Sequence, residues 1–431
     1  MTETAALPVG LPPLPEDGVF RFMHTSDWQL GMDRWFLGDE AGPRYREARL
    51  AAVERLLVTA GERGCAAVVV AGDVFDDNLV DPVTWRRAVD ILRRSPVPVF
   101  LLPGNHDPYD AASVYRSREF DDLAPTVQVL TDSRPRTVAR GGEEVDGAVP
   151  AEILGAPLLS KYMSADPVAS ALSGSGAGIS SAGTGDDAEA GGLEQKQPGA
   201  VRILVGHGAT QSRTSGGDPA VIDVDAAAAA CRDGVIDFLA LGDTHSVGCL
   251  HQDGTVWYSG SPEVTDFREE DGGGEGRSGH ALIVDITPVA GRPASTVGVE
   301  DIRTGRWRFQ ALSAQINGPQ DVEEWIGRLE EMQEKRTTVV KYALTGTVDL
   351  ATAAVLDQEM ERMRPAFAAL YERQRLMDLH VVPGDQELVG ADWPGVVGVA
   401  ARHLADRGAH EDETAQDALR LLYRLSAQKG S

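Results

Sequence analysis

From Val19 onward, apolar runs of strand length alternate with stretches whose apolar residues recur at helical spacing. Residues 20–27, FRFMHTSD, read as a strand running into a loop. Within 43–64, Val53, Leu56, Leu57 and Ala60 fall on one face of a helix. Residues 66–73, AAVVVAGD, are apolar without alternation, the pattern of a strand covered on both faces. Asp81 followed by Pro82 predicts a helix start, because the carboxylate caps free amides and proline needs no partner there. Trp85, Val89 and Leu92 continue that helical face, and residues 98–107, PVFLLPGNHD, form another strand entering a loop. This β-α-β-α-β order predicts an α/β fold with helices covering the faces of a sheet.

Further strands are predicted at 202–208 (RILVGHG), 238–245 (FLALGDTH) and 280–286 (HALIVDI). Residues 1–18 carry Pro8, Pro12, Pro13 and Pro15 and read as a flexible tail. Residues 173–199 are rich in Gly, Ser, Ala and Asp and contain no aromatic residue. Such a composition cannot bury a core and predicts a low-complexity surface insertion. The stretch 287–299 looks like a linker. After it, a strand near 305–316, a helix 319–335, a strand 337–345, a helix 350–374 and a strand 376–382 predict a small α/β unit. Residues 395–427 read as two short helices, the second with Ala418, Leu421, Leu422 and Leu425 on one face. The expected domains are therefore a tail at 1–18, a main domain at 19–288 with its insertion, an α/β domain at 300–385 and a helical segment at 395–431.

The length of 431 residues suits two to three domains of about 150 residues each. Lys and Arg total 40 against 66 Asp and Glu, a net charge of −26. That balance excludes binding of nucleic acid through bulk positive charge, but leaves room for local basic patches and for an acidic metal centre. Cys65, Cys231 and Cys249 share no C-x-x-C spacing, which argues against a disulfide framework or a structural zinc site and fits a reducing cytoplasm. The acidic, proline-rich start lacks the basic residues and apolar run of a signal peptide. No apolar run approaches the roughly 18 residues that a membrane-spanning helix needs, so no membrane association is expected.

Five predicted strands end in residue types that bind metals. Asp27 follows FRFMHTS, Asp73 follows VVVAG, Asn105 and His106 follow FLLPG, His207 follows ILVG, and Asp243 and His245 follow FLALG. In open α/β sheets, ligands bind beyond the carboxyl ends of strands. Converging there, these carboxylates, imidazoles and an amide suit two hard or borderline divalent cations about 3.5–4 Å apart. Each piece alone says little, since a Gly-Asp pair is ordinarily a turn and a lone histidine ordinarily a hydrogen-bonded core residue. The ordered series D-x-Q, GD, GNHD, GH and GD-x-H, each after an apolar strand, is specific.

On the segments HTSDWQLG (24–31), AGDVFD (71–76), PGNHD (103–107), VGHG (205–208), ALGDTH (240–245) and YSGSPE (258–263), the chain resembles the calcineurin-like metallophosphoesterases. Through HTSDW and YSGSP it resembles more narrowly their DNA-repair branch, the SbcD-type exonuclease subunits. The resemblance covers about residues 20–286 and extends more loosely beyond them. It implies a metallophosphoesterase β-sandwich flanked by helices, a small α/β capping domain and C-terminal helices. It also implies that Asp73 bridges two metals, that Asp27, Gln29 and His245 complete one site, and that Asn105, His207 and Asp243 complete the other. His106 would contact the scissile phosphate and serve as general acid to the leaving oxygen. Asp76, Asp107, Tyr258 and Ser261 are candidates for substrate-side or supporting roles.

Two positions depart from the family pattern. Its D-x-H is Asp27-Trp28-Gln29 here, and its G-H-x-H is Gly242-Asp243-Thr244-His245. More oxygen and less imidazole favours Mn²⁺, with Mg²⁺ next. The resemblance further implies a DNA exonuclease or phosphodiesterase working in the cytoplasm. An SbcC-like SMC-family ATPase is the implied partner, docked on the C-terminal helices, and a homodimer the implied state. A small-molecule phosphoesterase and a non-catalytic scaffold with a degenerate metal site remain the alternatives. His24 reads as a packed support, and Arg44, Arg46 and Arg49 as a solvated helix face paired with Glu47 or Glu54.

Overall fold

The computed structural model describes residues 18–138, 149–174, 199–210, 219–270, 274–382 and 395–408, together with 193, 196–197, 414–415, 418 and 422. The expected tail, most of the insertion at 173–199 and nearly all of the second C-terminal helix lie outside the described residues. The chain divides into two compact units, one of residues 1–266 and 274–307, the other of 267–273 and 308–431.

The first unit is built on two six-stranded sheets. In one, the spatial order is Thr296–Arg303, His280–Thr287, Phe20–Thr25, Ala67–Val70, Val99–Leu101 and Val127–Val129. Its last four strands run parallel, and the first two are antiparallel additions. The other sheet runs Arg136–Thr137, Ala151–Ala156, Val201–His207, Phe238–Gly242, Val256–Tyr258 and Gly248–Cys249, parallel at its centre and antiparallel at both edges.

Successive side chains of a strand point to opposite faces, and here both faces are covered. Phe22, Ala67, Val69 and Phe100 from the first sheet meet Val201, Ile203, Val205, Phe238 and Ala240 from the second in one buried layer. The alternate residues Met23, Val68, Val70 and Leu101 face outward onto helices Gly38–Glu62 and Pro82–Arg93. In the second sheet, Leu204, Leu239 and Leu241 face helices Pro167–Leu172 and Val224–Arg232. The result is a helix–sheet–sheet–helix stack, the expected sandwich flanked by helices. Asp81 caps the Pro82–Arg93 helix by accepting from the amides of Val83 and Thr84, at 2.9 and 3.0 Å.

Two expectations need correction. The stretch read as a linker at 287–299 contains the start of the Thr296–Arg303 strand, which pairs along its length with His280–Thr287. Its residues alternate between exposed and half-buried, so it carries little apolar signal. The helix expected over 350–374 ends at Met363. Pro365 cannot continue it, and the chain turns into the short strand Ala369–Glu372.

The second unit is a parallel sheet whose long strand Thr338–Asp349 pairs with Arg308–Ile316, Ala369–Glu372 and Asp378–Val382. Trp325, Ile326 and Leu329 of helix Pro319–Glu330 and Leu356 and Met360 of helix Leu350–Met363 join Tyr342 and Leu344 in its core. A further helix spans Gly395–Gly408.

Phe238 is fully buried between the sheets, with its ring edge-on to Phe22 at 5.7 Å. Phe238→Ala is expected to destabilise the first unit by about 3–5 kcal/mol, read as a shift in the urea midpoint. A shift worth less than about 1 kcal/mol would contradict this packing.

Candidate metal centre

The strand registers bring the candidate ligands to one edge. Thr25 pairs with Val70, and Val70 with Leu101, so the loops carrying Asp27, Asp73 and Asn105 leave the first sheet at one level. In the second sheet His207 lies opposite Gly242. The two edges are joined across the sandwich: His207 Nδ1 is 2.7 Å from the Ala71 carbonyl, and the Asp243 amide donates to both carboxylate oxygens of Asp27 at 3.1 and 3.3 Å.

This approach is close enough to dictate residue types. A Cβ on Gly72 would lie 2.1 Å from His207 Nδ1, and its φ of +89° is one that only glycine adopts freely. Within the first sheet the loops are equally tight, since a Cβ on Gly104 would lie 2.1 Å from Asp73 Oδ1. Among the described residues, the non-glycine positions with positive φ are Asp27, Gln29, Asp73, Asp243 and Glu334. Four of these five are candidate ligands. Such backbone costs on the order of 1–3 kcal/mol per residue and gathers at functional sites.

Asp27, Asp73 and His207, all buried, place ligand atoms within 4.8 Å of one another. His207 Nε2 is 2.8 Å from Asn105 Oδ1, 3.4 Å from Asp73 Oδ1 and 3.9 Å from Asp243 Oδ1. Burial opposes charge on this imidazole, but the carboxylates of Asp73, Asp27 and Asp243 outweigh it and hold its pKa well above the usual value. A proton on Nε2 and a divalent cation compete for the same place, so cation binding there releases a proton. Burial, partly offset by His245 and His207, raises the Asp27 carboxyl to about 6. At Asp73 the cost of burial is overcome by His207 and by the amide of His106, and the carboxyl is held below its usual range.

Gln29 and His245 pair with each other, their Nε2 atoms 3.1 Å apart. His245 Nδ1 is 2.8 Å from Glu275 Oε1, and Glu275 also accepts from the Thr265 hydroxyl. With Nδ1–H given to Glu275, His245 Nε2 accepts from the Gln29 amide. Gln29 Oε1 is then a buried acceptor with no hydrogen-bond partner. Such an orphan costs about 1–3 kcal/mol. A cation beside it removes that cost, so the donor set fits hard divalent metals.

The His106 amide donates to Asp73 Oδ1 at 3.0 Å, and its exposed ring has Nδ1 2.7 Å from the Asp76 carbonyl. That bond leaves Nε2 available to a substrate. The half-buried Asp76 carboxyl is raised by burial. Asp107, Tyr258 and Ser261 are fully buried and touch loop atoms instead of the surface. Asp107 accepts from the amides of Gly104 and Phe75 and from Tyr115, at 2.8, 2.9 and 2.5 Å. Burial and the neighbouring Asp73 push its carboxyl up to about 6. The Tyr258 hydroxyl donates to the Gly208 carbonyl at 2.8 Å, and that of Ser261 to the Asp27 carbonyl at 2.7 Å. His24 is buried, 3.2 Å from the Leu241 carbonyl, with its pKa lowered by burial to about 3.

The arginine face expected on the first helix is only partly solvated. Arg44 pairs with Glu40 and Arg46 with Asp33, while Glu47 and Glu54 pair with Arg87 and Arg94 of the next helix. Arg49 is buried beneath the Asp27 loop. Glu275 and Arg49 are the residues that sequence reasoning missed. The signal for Arg49 was its place on the stripe of Tyr45, Val53 and Leu56; Glu275 had none.

The chain belongs to the calcineurin-like phosphoesterase family, whose model matches residues 20–247. The family's metallophosphoesterases use divalent metals. Within it, the SbcD subunits of the SbcCD nucleases of Escherichia coli strain K12 and Escherichia coli O157:H7 are each 30% identical over 132 residues. The match spans 30% of this chain and 31% of the length of those curated relatives. A dimetal phosphatase from Danio rerio superposes with a TM-score of 0.36 at 12% identity, covering 66% of this chain and 98% of that one. No helix among the described residues is long and apolar enough to cross a membrane.

Gly104→Ala drives a methyl group into the Asp73 carboxylate. We expect it to cost about 1–3 kcal/mol in thermal unfolding and to lower Mn²⁺ affinity at least tenfold by calorimetry. Unchanged Mn²⁺ affinity would refute Asp73 as a ligand in this geometry.

Proposed function

We propose that this chain is a two-metal phosphodiesterase that hydrolyses DNA, acting as an SbcD-like exonuclease subunit with Mn²⁺ as its preferred metal. The observation that carries the reading is the buried group of Asp27, Asp73 and His207, the two aspartates on strained backbone, with Gln29 Oε1 orphaned beside it. Asp73 would bridge two cations, with Asp27, Gln29 and His245 on one side and Asn105, His207 and Asp243 on the other. Bound there, the cations supply Lewis acidity, polarising the phosphoryl group and making hydroxide accessible near neutral pH.

The remaining work falls to side chains. Glu275 fixes the His245 ring and its tautomer, so the Nε2 lone pair that meets the Gln29 amide in the free site is the one a cation would take up. The Asp76 carbonyl fixes the His106 ring, so a proton held at His106 Nε2 can pass to the leaving oxygen. Asp107 and Tyr258 hold the loops that carry Asn105 and His207.

DNA is favoured over small phosphoesters by the HTSDW and YSGSP segments and by the similarity to the SbcD nuclease subunits. A net charge of −26 opposes binding to a polyanion. An SbcC-like SMC-family ATPase, docked on the C-terminal helices, would supply the missing affinity. We assign the α/β domain expected at 300–385 as the capping domain, the homodimer as the working assembly and the cytoplasm as its place.

The test is Mn²⁺-dependent degradation of end-labelled linear DNA, with bis-p-nitrophenyl phosphate in parallel. Asp73→Ala and chelation by EDTA are each expected to abolish both activities. His106→Ala is expected to lower kcat by about 10²–10⁴. Cleavage of the small diester alone, even with the ATPase added, would favour a small-molecule phosphoesterase. Inactivity on both with Mn²⁺, Mg²⁺ and Zn²⁺, with the ATPase present, would leave the scaffold reading.

A further inference from the structure

We infer that Arg49 is a positioning residue, holding the Asp27–Gln29 loop in its ligand-presenting conformation before a cation binds. The inference rests on the metal-centre reading above. Arg49 lies on the helix Gly38–Glu62, on the stripe it shares with Tyr45, Val53 and Leu56, and is only 1% exposed.

Its guanidinium gathers three consecutive carbonyls. Nε donates to the carbonyls of Trp28 and Gln29 at 3.0 and 3.3 Å, and Nη2 to those of Trp28 and Asp27 at 2.6 and 3.2 Å. Consecutive carbonyls in ordinary extended backbone point to opposite sides. Here the positive φ of Asp27 (51°) and Gln29 (40°) breaks that alternation, and the carbonyls converge on one cation. Charge-assisted bonds are the stronger class, so they oppose the tendency of these residues to relax to negative φ.

Two further contacts complete the clamp. Nη2 donates to Ser261 Oγ at 3.2 Å, and Ser261 in turn donates to the Asp27 carbonyl at 2.7 Å. Nη1 donates to the Tyr45 hydroxyl at 3.0 Å, and Tyr45 donates to the Val264 carbonyl at 2.6 Å. The helix, the Asp27 loop and the segment 261–264 are thereby locked together. None of these hydrogen-bond partners is a carboxylate; the carboxylates of Glu263 and Asp76 act on the guanidinium only at longer range. Burying such a charge is costly, and a simple ion pair does not explain it here. A lysine offers three donors from a point and cannot span the three carbonyls as the planar fork does.

The experiment is calorimetric Mn²⁺ titration of the full chain and of R49M, R49K and R46M, with amide hydrogen exchange of residues 26–31 measured without metal. R49M and R49K are both expected to lower Mn²⁺ affinity 10–100-fold and to speed exchange of the Asp27 and Gln29 amides, which donate to Gly72 and Asp73. R46M, altered at the half-exposed partner of Asp33, is expected to match the parent. Parental affinity in R49M would overturn the inference, and parental affinity in R49K would reduce it to a matter of charge alone and overturn the clamp. Should R49M fail to fold, Ser261→Ala removes one link, and affinity is expected to fall severalfold; no change would overturn the clamp equally. A parent chain that binds no Mn²⁺ would sink the metal-centre reading itself, an outcome distinct from a parent that binds while R49M binds as well.

Discussion

The loops that end the two sheets approach so closely that a methyl group at residue 72 would overlap the His207 ring, and one at residue 242 the Ala71 carbonyl. Much of the candidate centre follows from that approach. It sets His207 against the Ala71 carbonyl and fixes which imidazole nitrogen faces the carboxylates. It brings the Asp243 amide onto Asp27. Around it, four candidate ligands adopt backbone that chains ordinarily avoid. Conformations of that cost persist only where surrounding structure over-determines them. The buried layer between the sheets, with Phe22, Phe100 and Phe238 at its heart, provides the rigid floor.

The centre is then held in two rings. Inside are the oxygens and imidazole nitrogens suited to hard cations. Around them run the braces: buried Ser261 and Arg49 under Asp27, Asp107 and Tyr115 under Asn105, Tyr258 under His207, and the half-buried Glu275 behind His245. Outer partners of this kind set the orientation of ligands and commonly matter nearly as much as the ligands themselves. The departures at Gln29 and Asp243 fit this frame. Gln29 is paired with His245 and keeps its carbonyl oxygen unspent, and Asp243 uses its amide to hold Asp27 and leaves its carboxylate toward His207.

Much of this was legible in the residues alone, and the reasons are local. Continuous apolar runs announce strands covered on both faces, and short motifs at their ends carry the candidate ligands that the fold gathers at one edge. The Asp81-Pro82 pair marks a helix start through chemistry confined to neighbouring residues. What escaped depends on distant partners. Arg49 looks like one of several helix-surface arginines until the carbonyls it serves, some twenty residues earlier, are folded over it. Glu275 sits in a glycine-rich acidic run that reads as solvated loop, and its partner is 30 residues away. The strand Thr296–Arg303 is an edge strand whose exposed side hides its pairing. Pro365 was visible, but the apolar residues on either side of it masked the break.

The pairing of the first strand with one of the last has a temporal side. Phe20–His24 lies beside Leu282–Ile286, a separation of more than 250 residues, and the candidate ligands between them come from five different strand ends. During synthesis, Asp27 leaves the ribosome long before His207, Asp243 and His245. The brace Glu275 and the strand that completes the first sheet come later still. Contacts this distant in sequence form slowly, because chain closure must precede any reward. A nascent chain therefore exposes its early carboxylates and its first parallel strands without their covering sheet. A cation site assembled from these parts is complete only at the end of folding, after the first unit has closed, and cannot serve as its nucleus.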